Sequence, residues 1–253
     1  LAAASIAPMP PVLPFACMDS CMQALLTLAG PLPSVPGGPD AQTGAALGHT
    51  AAIVFTSGTT GQPKAAMLTH RGLLLAAAVQ HLRLNTAPAR YLCNLPINHV
   101  GCLMNLTLAA LVGGGSIVFQ QRFSAAHTLQ LIHDEGVNCW LQVPAMFHAC
   151  VQDPGFDPRA LSHLQSICIG GGAVSVQTLG KLRQTRVPLF VEYGQTETSS
   201  SAAYSEAGAS DEVLSHSVGR FDPHFQFRVA DAGNCPCAVG EVGEIQGRGP
   251  LVF

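Results

Sequence analysis

The chain has 253 residues, enough for one large or two small domains with a buried core, and 48% of them are hydrophobic. Only 11% are charged, against a usual figure of about 25%, so part of its surface is expected to be covered by more protein. The formal charge of -3, with no basic run, gives no electrostatic basis for binding nucleic acid or an anionic membrane.

The start, "LAAASIAPMPPVLPF", is apolar but broken by prolines and has no positive n-region, so it is a poor signal peptide. No apolar stretch reaches the roughly 20 residues that span a bilayer. The chain begins at Leu1 rather than Met and stops at Phe253 inside an apolar run, and it reads as a fragment. Nine cysteines, an odd number mostly set in apolar runs such as "SICIG", are expected to be reduced core thiols of a cytoplasmic protein. Cys17 and Cys21 sit at helical spacing and "CPC" covers Cys235 to Cys237. Neither pair has a second pair at zinc-finger spacing.

Residues 1–48 are rich in Pro, Gly and Ala, an incomplete segment with one helical candidate, "CMDSCMQALLTLAG", and a loop, "PLPSVPGGPDAQTG". From residue 49 the texture changes. "AAIVF" and "AAMLTH" read as strands around a Gly/Thr loop, and "THRGLLLAAAVQHLRL" carries a helix with Thr69 as its N-cap. "RYLCNL", "GSIVFQ", "NCWLQV", "QSICIG" and "PLFVEY" are further strands, with helices near 103–112, 125–135, 144–152 and 175–185 between them. Such alternation predicts an α/β fold over 49–205, a mostly parallel sheet flanked by helices. Over 206–253, "FQFRVA" and "GEIQGR" between Gly and Pro turns predict the start of a small, truncated β subdomain.

"TSGTTGQPK" holds one of only two lysines, Lys64, the other being Lys181. It is not the common nucleotide P-loop, which needs its lysine to lead directly into a helix. Its chemistry is similar, because glycines let backbone N–H groups approach an anion, hydroxyls add donors and the lysine supplies charge for a polyphosphate. An ordinary polar hairpin loop is the bland alternative.

The stretch resembles the phosphate-binding signature of the adenylate-forming superfamily of acyl- and aryl-CoA synthetases, peptide-synthetase adenylation domains and luciferases. Further motifs follow in that family's order over residues 50–253: "LPINHVGCL", "GGGAV", "EYGQTET" and "VGEIQGRGPLVF". The resemblance implies ATP-dependent activation of a carboxylic acid to an acyl-adenylate, then thioester formation with coenzyme A.

By that resemblance Thr56, Ser57, Gly58, Thr59, Thr60, Gly61 and Lys64 would hold the β- and γ-phosphates, with Ala65 where the family usually has glycine. Gly171, Gly172 and Ala173 would form a backbone wall beside the adenine and the acyl group, Tyr193 would lie against the adenine ring and Gly194 would permit close approach. Thr196 would bond the α-phosphate and Glu197 would hold Mg2+, a hard cation suited to carboxylate oxygen. His99 would gate or contact the carboxylate; a packed histidine is the other reading. For Tyr193 the bland alternative is a core tyrosine ending its strand.

Amino-acid adenylation domains usually carry an Asp in the segment matching "PINHVGC"; none is present, which favours an acid-thiol ligase. Within that branch the spacing resembles o-succinylbenzoate–CoA ligases, with fatty acids equally open. The family's Thr-Gly-Asp motif and mobile C-terminal domain are absent, so that domain is an expected partner and the chain alone should have little activity. A non-catalytic nucleotide-binding remnant, an amino-acid adenylation domain and an unrelated kinase or NTPase remain as alternatives.

Overall fold

The computed structural model describes residues 46–56, 62–84, 88–223 and 225–252. The N-terminal helix candidate, its following loop and residues 57–61 of the Gly/Thr stretch lie outside them.

Two strands, β1 (Thr50–Thr56) and β2 (Lys64–Thr69), form an antiparallel hairpin that pairs Thr56 with Lys64. Alternation sends Val54, Ala66 and Leu68 inward and leaves Ile53, Phe55 and Met67 exposed. Helix α1 (His70–Leu84) follows at once, and Gly72 N–H donates to the Thr69 hydroxyl at 3.0 Å, the predicted cap. Its "LLLAAAV" run is buried nearly all round, so small alanines let neighbours pack closely.

Seven strands make the main sheet: β3 (Arg90–Cys93), β4 (Ser116–Phe119), β5 (Cys139–Gln142), β6 (Ser166–Gly170), β7 (Leu189–Gln195), β8 (Ser200–Tyr204) and β9 (Arg220–Phe221). Their order is β4-β3-β5-β6-β7-β8-β9. The first five run parallel, while β8 and β9 are antiparallel additions.

A π-helix (Gly101–Leu108) running into α2 (Ala109–Val112) links β3 to β4. Helices α3 (Ala125–Asp134), α4 (Pro144–Gln152), α5 (Val176–Arg183) and α6 (Asp211–His216) complete the layers. Proline opens α4, where its missing N–H is harmless, and Ser175 caps α5 by accepting from Thr178 N–H at 3.2 Å.

Both faces of the sheet are covered, and the period-2 alternation of the strands sorts residues between two cores. Tyr91, Cys93, Cys139, Leu141, Cys168 and Phe190 share one core with Cys102, Leu106 and Ala109. Leu92, Trp140, Ile167, Ile169, Leu189 and Val191 share the other with Phe147, Leu179, Leu182 and Leu214. Trp140 and Phe147 are both fully buried, with ring centroids 4.7 Å apart.

Strands β10 (Gln226–Ala230) and β11 (Glu244–Arg248) form a separate antiparallel pair where the sequence predicts short strands. Among the described residues, the strands β8 and β9 and the helix α6 have no counterpart in the sequence reading. Strand β9 falls in the stretch assigned to a β subdomain but pairs with the main sheet. No disulfide joins the described cysteines, five of which are buried.

Candidate active site

The strand order creates the site. β3 passes the chain to β4 on one side, whereas β5 passes it to β6 on the other, so the loops leaving β3 and β5 diverge. A crevice outside the carboxyl ends of the strands is expected at such a switch point. A cavity of about 330 Å³ lies there, lined by His99, Gly101 and Asn105 after β3, Leu141 to Val143 after β5, Gly170 and Gly171 after β6, and Glu192, Gly194 to Glu197, Ser200 and Ser201 around β7 and β8. A second cavity of about 400 Å³ is lined by Gly171, Gly172, Ala173, Tyr193, Gly194 and residues 214–218. Gly171, Glu192 and Gly194 border both.

The structure thus gathers His99, Thr196 and Glu197 about the first cavity and Gly172, Ala173 and Tyr193 about the second. Thr56 and Lys64 face each other across the hairpin neck, where the Thr56 hydroxyl donates to the Lys64 carbonyl at 3.5 Å. Lys64 is exposed. Ser57, Gly58, Thr59, Thr60 and Gly61 belong to the part of that loop outside the described residues.

Each placement has a local cause. His99 closes a turn by donating its N–H to the Pro96 carbonyl, and its own carbonyl accepts from Cys102 and Leu103. Its Nδ1 accepts from Gly101 N–H at 3.0 Å, which assigns the ring hydrogen to Nε2 and leaves that atom available as a donor. Gly171 takes φ +81°, a conformation that suits glycine. Gly194 has a different reason to be glycine: a Cβ there would collide with the Ser200 carbonyl as β7 and β8 cross. Tyr193 is half-buried, its ring edge-on to Phe221 with centroids 6.3 Å apart.

Thr196 to Thr198 form a short 3-10 turn capped by Gln195 and Thr198. Two consecutive serines then adopt positive φ, Ser199 at 55° and Ser200 at 105°, backbone strain of the kind that clusters beside functional sites. Ser200 repays it by donating to Asn105 Oδ1.

Asn105 is the hub of a buried polar network that the sequence reading missed. Its Nδ2 points to Gln80 Oε1 at 2.7 Å, Ser201 Oγ at 2.8 Å and Glu192 Oε1 at 3.1 Å. Gln80 donates back to the Asn105 carbonyl at 2.6 Å and to the Tyr91 hydroxyl at 3.2 Å. Burial pushes the Glu192 carboxyl up to about 7, against the nearby polar groups of Ser201, Cys168 and Asn105, which favour the charge. The available signal was a polar residue interrupting an apolar run: Glu192 in "PLFVEY", Gln142 in "NCWLQV" and Gln80 in "AAAVQHL".

The sequence and the fold both match known proteins. The model for AMP-binding enzymes covers residues 17–253. The chain belongs to the AMP-binding enzyme family. Indoleacetate–CoA ligase of Aromatoleum aromaticum is 36% identical over 203 residues, 79% of this chain and 39% of that protein. The 2-succinylbenzoate–CoA ligase of Bacillus licheniformis is 32% identical over 82% of this chain and 42% of its own length. Among solved structures, o-succinylbenzoate coenzyme A synthetase from Bacillus subtilis, in complex with ATP and magnesium ion, is similar at a TM-score of 0.73 and 29% identity, over 82% of this chain and 42% of that one. The chain therefore spans about two fifths of the length of these AMP-binding relatives.

No helix among the described residues is long and apolar enough to cross a membrane.

Proposed function

We propose that this chain is part of a cytoplasmic acid–thiol ligase that joins a carboxylic acid to ATP as an acyl-adenylate and passes the acyl group to coenzyme A. The observation that carries the reading is the pair of cavities sharing the Gly171–Glu192–Gly194 wall. Two reactants held on either side of one wall at the ends of the same strands can be brought together, which is the positioning that attack of a carboxylate on a phosphate requires.

In this reading the nucleotide base occupies the second cavity against Tyr193, with Gly171, Gly172 and Ala173 beside it. The acid occupies the first, where His99 Nε2–H can donate to its carboxylate. Thr196 bonds the α-phosphate. Lys64, with Thr56 and residues 57–61, neutralises the far phosphates.

Glu197 offers a partly exposed carboxylate on the first cavity, and no group of three candidate metal ligands occurs among the described residues. That donor set fits Mg2+, which takes one or two carboxylates and shares its remaining positions with phosphate and water. Bound there, the ion would offset phosphate charge.

The names of two relatives, an indoleacetate–CoA ligase and a 2-succinylbenzoate–CoA ligase, support trying aryl acids first. Carboxylate-dependent ATP–pyrophosphate exchange by the full-length protein, across aryl, short and long-chain acids, tests the reading. Exchange with one class establishes adenylation, whereas release of ADP, or silence from folded protein, overturns it.

A further inference from the structure

Two residues that line the first cavity carry, between them, three buried side-chain atoms with no hydrogen-bond partner in the protein. Gln142 is fully buried at the end of β5, and neither its Oε1 nor its Nε2 is hydrogen-bonded. Glu192 Oε2 is buried and likewise unmatched. Both residues line the same cavity. Buried polar atoms are partnered in roughly nine cases of ten or more, so three orphans around one space point to an occupant that completes them.

The rest of the network shows that these atoms are held in place. Asn105 occupies Glu192 Oε1 and is itself fixed by Gln80 and Ser201, while the Glu192 side chain lies over Gly170, where even a Cβ would sit 2.6 Å from the carboxylate. One oxygen is committed to the protein and the other is left over. Above about pH 7, where Glu192 is ionised, its free oxygen calls for a hydrogen-bond donor, and the Gln142 amide can both give and accept. A hydroxyl or a ring N–H satisfies that pair of demands; a hydrocarbon edge satisfies neither and leaves the atoms buried and unmet.

Resting on the reading of the first cavity as the acid's site, we propose that the accepted acid carries, besides its reacting carboxylate, a second group with an O–H or N–H donor that Glu192 and Gln142 receive. These two residues select against a hydrocarbon acid of the same shape. The cavity, at about 330 Å³, is at the lower end of the usual ligand range and suits a one- or two-ring acid.

The test uses matched acids and equilibrium binding to the full-length protein, without ATP: 4-hydroxyphenylacetate against phenylacetate, and indole-3-acetate against naphthalene-1-acetate. The donor-bearing member of at least one pair should bind about ten- to hundredfold tighter. Gln142→Leu, checked for folding by near-UV circular dichroism, should shrink that preference, chiefly by weakening the donor-bearing acid. Equal binding within both pairs, or no binding of any of the four, overturns the inference. Should Gln142→Leu not fold, the paired comparison in the unaltered protein still decides. ATP–pyrophosphate exchange is measured separately: a donor preference without exchange removes the ligase reading and leaves the recognition site standing, while exchange without preference does the reverse.

Discussion

The Glu192 carboxylate rests against the bare Cα of Gly170, its register partner on the neighbouring strand. A methyl group on Gly170 would lie 2.6 Å from Oε1, so the first glycine of "GGGAV" is accounted for by a carboxylate belonging to the protein. Phe190 and Glu192 point to the same face of β7, and the chain therefore places an acid where its neighbours place apolar side chains.

That placement gives stability a pH dependence. Burial raises the Glu192 carboxyl from the ordinary 4.5 to about 7. Below pH 4.5 the group is protonated whether the chain is folded or not. Between 4.5 and 7 the unfolded chain releases the proton while the folded chain keeps it, so stability falls with rising pH and levels off above about 7. The full effect is on the order of 3 kcal/mol. Glu192→Gln should flatten this window and gain on the wild type at pH 8; urea midpoints from pH 4 to 8 read both, and parallel curves would refute it.

Gly194→Ala should be severely destabilising, by about 3 kcal/mol or more, because the atom in the way is the Ser200 carbonyl, held by the β7–β8 pairing. Gly180 supplies the contrast: it lies within α5 with open space around it, and alanine there should stabilise by about 0.5–1 kcal/mol. Thermal denaturation of the two variants should move in opposite directions.

Lys64→Ala separates a binding role from a structural one. The side chain is exposed at the edge of the hairpin, so stability should change by no more than about 0.5 kcal/mol. ATP–pyrophosphate exchange by the full-length protein should nevertheless fall about a hundredfold, as loss of one preorganised charge in a site does. Unchanged exchange would remove Lys64 from the phosphate site.

Thiol reactivity should follow burial. Cys93 and Cys102 face each other with sulfurs 3.2 Å apart, and burial, reinforced by Cys102, pushes the Cys93 thiol up to about 12. Cys150 is likewise raised to about 12 by burial and by Asp153. Iodoacetamide at pH 8, read by peptide mass spectrometry, should label exposed Cys235 first among the described cysteines and spare Cys93 and Cys150 until the protein is denatured.

The parallel strands were legible because both faces are covered: "RYLC", "CWLQ" and "SICIG" become apolar runs whose neighbours are turns. Thr69 was legible as a cap because its hydroxyl acts three residues away. β8, "SSAAY", was not, since its small polar residues are buried only once it pairs with β7 and β9 and packs against the π-helix through Asn105. The π-helix was also invisible, because its residues fit an ordinary helical pattern equally well. The polar network escaped for a reason of distance. Asn105 and Glu192 are 87 positions apart, and neither looks unusual until the fold sets them side by side. Motifs located the cavities' rims, whereas the orphaned atoms within them depended on tertiary packing.

The shared wall of Gly171, Glu192 and Gly194 also limits how such a protein can diverge. A replacement there is felt on both sides at once, so drift in one preference drags the other with it. Gln142 and Leu141 border only the first cavity, and Leu214 and His216 only the second. Those positions can vary independently, and a lineage acquiring a new acid would be expected to change them before it touched the partition.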